Sequence, residues 1–108
     1  MTKNTEIYEL VKEKIERRFM VPERVKDQVW HEIEYNKSGL VLSERRPHFQ
    51  NPEIITKSPI FKLKYNSHSK EWSAYWMPSD MKWHRLETYS SLDKILDYID
   101  KNAEYFWG

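Results

Sequence analysis

Three alternating segments joined by short turns constrain the fold of this chain more than any other feature. Residues 60–66 (IFKLKYN), 71–77 (EWSAYWM) and 82–88 (KWHRLET) alternate in polarity with the period of a β-strand. Four residues separate each pair, Ser67–Lys70 and Pro78–Met81. An even number of turn residues keeps the faces aligned, which predicts one apolar face under the helices. Its predicted members are Phe61, Leu63, Tyr65, Trp72, Ala74, Trp76 and Trp83.

The opposite face of the same three segments is predicted to carry cations around an aromatic ring. The even turns place Tyr75 between Lys62 and His84, with Lys64 close by. A π-face flanked by cations suits a nucleobase or a phosphorylated ligand. Alternation also places polar groups outside on any solvated antiparallel sheet, so an ordinary outer face explains the same pattern.

Two amphipathic helices and a hairpin complete the predicted fold. Residues 5–20 and about 91–102 have apolar side chains at helical spacing. Residues 28–35 and 40–46 read as two strands, and the proline-rich residues 47–59 read as a loop. The stripes are Ile7, Leu10, Val11, Ile15 and Phe19 in the first helix, and Leu92, Ile95, Leu96 and Ile99 in the second.

These elements predict one α+β domain over residues 1–108. Its architecture is an N-terminal helix, a five-stranded, mainly antiparallel sheet and a C-terminal helix, with both helices on one sheet face. The chain has no cysteine, which excludes disulfides, cysteine metal sites and cysteine nucleophiles. It has no membrane-length apolar run and no signal-peptide pattern at its start, so we expect a cytoplasmic protein.

Charge is unevenly distributed along a chain whose formal net charge is only +1. Residues 45–85 hold eight Lys or Arg against three acids, whereas residues 86–108 hold two against five. We therefore expect acidic helices to dock on a basic sheet. Arg45 and Arg46 could bridge to the acidic C-terminal helix, which we favour, or grip a phosphate or carboxylate as a pair.

No motif in the sequence predicts a metal, a cofactor or a catalytic residue. The four histidines, His31, His48, His68 and His84, are scattered, and two glycines cannot build a phosphate-cradling loop. Two acids on one predicted strand, Glu32 and Glu34, could either neutralise Lys62 and Lys64 across strands or perform acid–base chemistry beside His84. The terminal Phe106-Trp107-Gly108 is expected to pack on the body, although docking to a partner is an alternative.

Five segments together resemble the bacterial domain-of-unknown-function family numbered 3024. They are Glu44-Arg45-Arg46-Pro47, Phe61-Lys62-Leu63-Lys64-Tyr65, Trp72-Ser73-Ala74-Tyr75-Trp76-Met77, Lys82-Trp83-His84-Arg85 and Phe106-Trp107-Gly108. The resemblance covers about Arg24 to Gly108 and implies a small bacterial intracellular domain, without an activity to carry over. The family often has Gly before Trp72, where this chain has Lys70, and a Thr-Gly-Cys-like run where it has Ala103-Glu104-Tyr105.

Three functions are therefore open, and we favour the first. It is a non-catalytic binding or adaptor domain that takes a protein partner or an anionic ligand at Arg46, Lys62, Lys64, Tyr75 and His84. The second is a nucleic-acid binder using the same face, which the low net charge disfavours. The third is a small enzyme using Glu32, Glu34 and His84, which lacks a catalytic signature.

Overall fold

The computed structural model describes residues 4–25 and 27–107. The helices are α1 (Asn4–Arg18), a 3-10 turn (Glu23–Val25), α2 (Leu92–Lys101) and α3 (Ala103–Trp107). The strands are β1 (Trp30–Asn36), β2 (Gly39–Pro47), β3 (Ile55–Asn66), β4 (Glu71–Trp76) and β5 (His84–Tyr89). All neighbouring strands pair antiparallel in the order β1-β2-β3-β4-β5, which confirms the predicted α+β architecture.

The core lies between one face of this sheet and the helices. Buried side chains of α1, α2 and α3 join those of β2, β3 and β4 in one cluster, so both main helices cover the same face, as predicted. The predicted stripe of α2 is confirmed, but that of α1 is wrong at one position: Leu10 is exposed. Tyr8 is buried in the core instead, and its hydroxyl accepts a hydrogen bond from the backbone N–H of Tyr65 at 3.0 Å, which offsets the cost of burying it.

The third strand is longer than the alternation indicated. Residues 55–59, predicted as part of a loop, extend β3 and pair with the end of β2. Thr56, Lys57 and Ser58 lie outside the buried core, so no apolar face imposes an alternating pattern there. The backbone hydrogen bonds to β2 hold this part of the strand instead.

Turn parity was predicted correctly at one bend and wrongly at the other. Leu63 pairs with Ala74 and Tyr65 with Trp72, as a four-residue turn requires. The next connection has seven residues, 77–83, so Trp76 pairs with His84 rather than with Trp83. Trp72 is buried and Trp76 packs against the core, but Trp83 is half-buried outside it.

Acids of the C-terminal helix α2 form ion pairs with cations of α1. Arg18 contacts both Asp97 and Asp100, at 2.5 and 2.6 Å, and Lys14 contacts Asp93 at 2.5 Å. The helices dock on the sheet as expected, but these acids of α2 form their ion pairs with cations of α1. These ion pairs join the two helices and leave the cations of the sheet to other partners.

The C-terminal end packs on the body in the part that the structure describes. Phe106 is buried in α3, with its ring edge-on to Phe61 at a centroid distance of 6.2 Å. The side chain of Trp107 and the residue Gly108 lie outside the described part. None of the helices in the described ranges combines the length and the apolar character needed to cross a membrane.

Candidate functional site

The sheet face turned away from the helices carries a row of unlike side chains. We call it the open face. One residue from each strand occupies this row, because the register pairs each with the next. In strand order the row is Glu34, Val41, Lys62, Tyr75 and Arg85. An acid, an apolar residue, a cation, an aromatic ring and a second cation thus follow one another across the sheet.

The basic half of the open face encloses a depression of about 320 Å³. We call it the basic depression; its lining includes Lys64, His68, Ser73, Tyr75 and Arg85. Lys62 lies beside it, with Nζ 5.7 Å from the centroid of the Tyr75 ring, within the range of a cation–π contact. The hydroxyl of Ser73 forms a hydrogen bond with that of Thr88 at 2.8 Å, which fixes the two polar groups between strands β4 and β5.

The cations of the basic depression are not neutralised by neighbouring acids. Among the described residues, no carboxylate lies within 4.0 Å of the side-chain nitrogens of Lys62, Lys64 or Arg85. Burial, and secondly the charge of Lys64, lower the pKa of Lys62 below its ordinary value of 10.5. An anion placed between these groups would relieve their mutual repulsion.

The two acids of β1 on the open face, by contrast, form ion pairs with neighbouring cations. Glu32 contacts Arg45 at 2.6 Å, and Glu34 forms a short ion pair with Lys57, whose Nζ is also 3.9 Å from Glu32. The prediction that these acids neutralise Lys62 and Lys64 is therefore wrong. The physical reason is the extension of β3, which brings Lys57 beside them.

Arg46 lies apart from the other predicted site residues. It forms an ion pair with Glu44 on its own strand, so the predicted bridge to the C-terminal helix is wrong. It also lines a separate depression of about 530 Å³ beside His48 and Phe49, at the end of β2. The rings of His48 and Phe49 stack there at 5.0 Å.

His84 is also separated from Tyr75, because the seven-residue connection shifts it by one position. Its Nε2 lies 2.7 Å from Asp80, and the backbone N–H of Lys82 and this contact hold the pKa of Asp80 below its usual range. Arg85 takes the place opposite Tyr75. The structure thus brings Lys62, Lys64 and Tyr75 together as predicted, and adds Arg85 and His68. The length of the connection 77–83, which the alternation does not show, is the reason that the sequence did not predict Arg85.

Among the described residues, the acids Glu32 and Glu34 share no ion-pair partner with His84. Glu32 and Glu34 are held by cations of β2 and β3, whereas His84 is held by Asp80. Within the described ranges, no three histidine or carboxylate side chains are grouped so that they could hold a metal ion.

Comparisons with known proteins gave one match. The model of a family described as "Domain of unknown function (DUF3024)" matches residues 2–108. Neither the comparison with curated proteins nor that with solved structures found a match.

Proposed function

Because the chain belongs to the DUF3024 family, whose description assigns no activity, we propose a function from the open face: this is a non-catalytic binding domain that takes a compact anionic group in the basic depression. The observation that carries the proposal is the set of three cations around Tyr75 without a neighbouring carboxylate among the described residues. The acids of β1 on this face, Glu32 and Glu34, are already paired.

Charge and shape favour a phosphate or a carboxylate as the bound group. Arg85 offers a planar fork of donors and the lysines offer point charges, which is the combination that recognises such anions. Hydrogen bonds of this kind, with one charged partner, each contribute about 1.5–3 kcal/mol. Tyr75 adds a flat apolar surface between the cations, so the ligand is expected to present a planar group beside its charge.

The size of the basic depression favours a small ligand over a long polymer. Its volume of about 320 Å³ lies at the lower end of the range for small-molecule sites. The formal net charge of +1 gives the molecule little long-range attraction for nucleic acid. Both observations direct the proposal toward a compact anion.

Adenosine monophosphate is a suitable probe, because it joins a planar base to one phosphate. We expect it to shift the backbone amide NMR signals of Lys64, Tyr75 and Arg85. The double variant Lys64→Ala/Arg85→Ala should weaken the binding at least tenfold, since it removes two charge-assisted contacts. A matched control, Lys94→Ala/Lys101→Ala, removes two charges from α2 and should leave binding unchanged.

Two results would overturn this function. One is the absence of any shift at about 10 mM probe, the weak end of specific binding. The other is equal weakening in the control variant, which would indicate attraction by net charge alone. A titration with oligothymidylate separates the alternative: binding only to that polymer, with a steep loss between about 50 and 200 mM salt, would indicate a nucleic-acid binder instead.

A further inference from the structure

The open face carries a second depression, on the β2 side of Lys62. It has a volume of about 490 Å³, within the range of small-molecule sites. We call it the Trp83 groove; its lining includes Val41, Ser43, Pro59, Met77, Met81 and Trp83. The seven-residue connection 77–83 supplies Met77, Met81 and Trp83, while β2 and β3 supply the remaining three.

One polar group of the Trp83 groove lacks a partner. Ser43 is 1% exposed, and its Oγ has no hydrogen-bond partner among the described residues. Ser43 stands where the register between β2 and β3 shifts, opposite Pro59, which has no N–H to offer. A buried hydroxyl without a partner is unfavourable, and a ligand with a hydrogen-bonding group would remove that cost.

The charged residues of the groove are already satisfied. Glu34 and Lys57 both line it and form an ion pair with each other. One end of the groove is formed by Tyr35, Asn36, Ser38 and Gly39. The rest of its uncharged lining includes an indole, two thioethers, a proline ring and a valine, which favour a flat apolar ligand. The lining therefore offers no unpaired charge for an ionic ligand.

We propose that the Trp83 groove binds a small, neutral aromatic molecule that carries one hydroxyl or carbonyl group. The ring packs against the indole of Trp83, and the polar group forms a hydrogen bond with Oγ of Ser43. Because that atom is closed to solvent, a side chain of the lining moves as the ligand enters. Met77 and Met81 are unbranched and have the most rotational freedom among the lining residues.

Two probes of equal shape test the proposal. They are p-cresol and p-xylene, which differ by a hydroxyl in place of a methyl group. We expect p-cresol to shift the amide signals of Ser43 and Met77 and the indole N–H signal of Trp83. The variant Ser43→Ala should weaken p-cresol binding about three- to tenfold, the effect of one hydrogen bond, and leave p-xylene binding unchanged or stronger.

A second variant tests the groove at another residue, in case Ser43→Ala does not fold. A control variant, altered only in the basic depression, shows whether that site contributes to the binding. Trp83→Ala should abolish the binding of both probes, and Lys64→Ala/Arg85→Ala should leave both unchanged. Loss in the lysine–arginine variant, shifts that map away from the groove, or an unaltered preference for p-cresol in Ser43→Ala would each overturn the proposal. Failure with adenosine monophosphate would leave this result standing, because the two sites use different residues.

Discussion

At the scale of single residues, Gly39 shows how one turn depends on its residue type. Its φ of 142° lies in a region that other residues rarely adopt. A Cβ at this position would lie 2.7 Å from the carbonyl oxygen of Leu63 and 2.9 Å from Cε of Lys62. The neighbouring strand β3 thus leaves no space for a side chain at this position.

Gly39→Ala should therefore lower the free energy of unfolding by about 1–3 kcal/mol, the cost of holding a side chain in a disfavoured conformation. Urea unfolding followed by circular dichroism measures the change. The control is Lys37→Ala, an exposed position in the same turn. Equal urea midpoints for the two variants would contradict the interpretation.

His31 gives the fold a pH dependence. Burial lowers its pKa below the ordinary value of 6.5, against the opposing charge of Glu44 and a hydrogen bond to the backbone of Phe19. Between the two pKa values, the unfolded chain binds more protons at His31 than the folded one. The stability that neutral His31 allows is thus complete above 6.5 and falls as the pH drops toward the folded-state pKa.

We expect His31→Gln to remove the pH dependence that His31 contributes. The free energy of unfolding of the wild type should then fall more than that of the variant as the pH drops from 6.5 toward the folded-state pKa of His31. Urea titrations at a series of pH values measure the difference. His68→Gln, at an exposed position, should follow the wild type. A wild-type advantage over His31→Gln that grows toward acid would refute the assignment.

At the scale of elements, ion pairs join α1 to α2, and Arg18 forms two of them. Arg18 reaches two carboxylates of α2, and these contacts raise its pKa. The prediction from charge blocks found the right acids but the wrong partner, because the two helices lie side by side on one sheet face. Oppositely charged side chains of the two helices are therefore closer to each other than to the cations of the sheet, and they form ion pairs.

Arg18→Ala should destabilise the protein by about 0.5–1 kcal/mol at low salt, the usual size of an exposed ion pair. The loss should shrink in about 1 M NaCl, where screening acts over about 3 Å. Arg17→Ala, which removes only a contact with Glu13 within α1, serves as the control and should cost less. A loss that is unchanged by salt would show that Arg18 acts through packing of its stem instead.

At the scale of the whole molecule, Phe61 connects the sheet with the segment that follows α1 and with α3. It is fully buried, with ring centroids 5.3 Å from Phe19 and 6.2 Å from Phe106. The first contact holds the end of α1 and the second holds α3. A single ring in β3 thus joins three elements that are far apart in sequence.

Phe61→Ala should cost about 3–5 kcal/mol, a large part of the stability of a domain of this size. Calorimetry should show a strongly lowered melting temperature. Phe49→Ala removes a ring that is 86% exposed and should change the melting temperature little. Similar effects of the two substitutions would show that Phe61 does not hold the core.

The sequence by itself determined the elements and much of their pairing. Apolar spacing defined α2 and the β3–β4 hairpin, and it placed Lys62, Lys64 and Tyr75 on one face. These results follow from local periodicity, because a side chain's face is set by its position along the strand or helix. They required no knowledge of distant contacts.

Only the tertiary structure shows on which sheet face a side chain lies once the chain has passed an irregular connection or a register shift. The connection 77–83 and the register shifts at Leu42/Ser43 and Ala74/Tyr75 exchange inside and outside, since one added residue reverses every side chain that follows. Arg85 and Trp83 reached the open face in this way. The partners of the ion pairs could not be predicted from the sequence either. Long charged side chains pair with the oppositely charged groups that lie nearest after the helices and strands have packed, and these can be far away in the sequence.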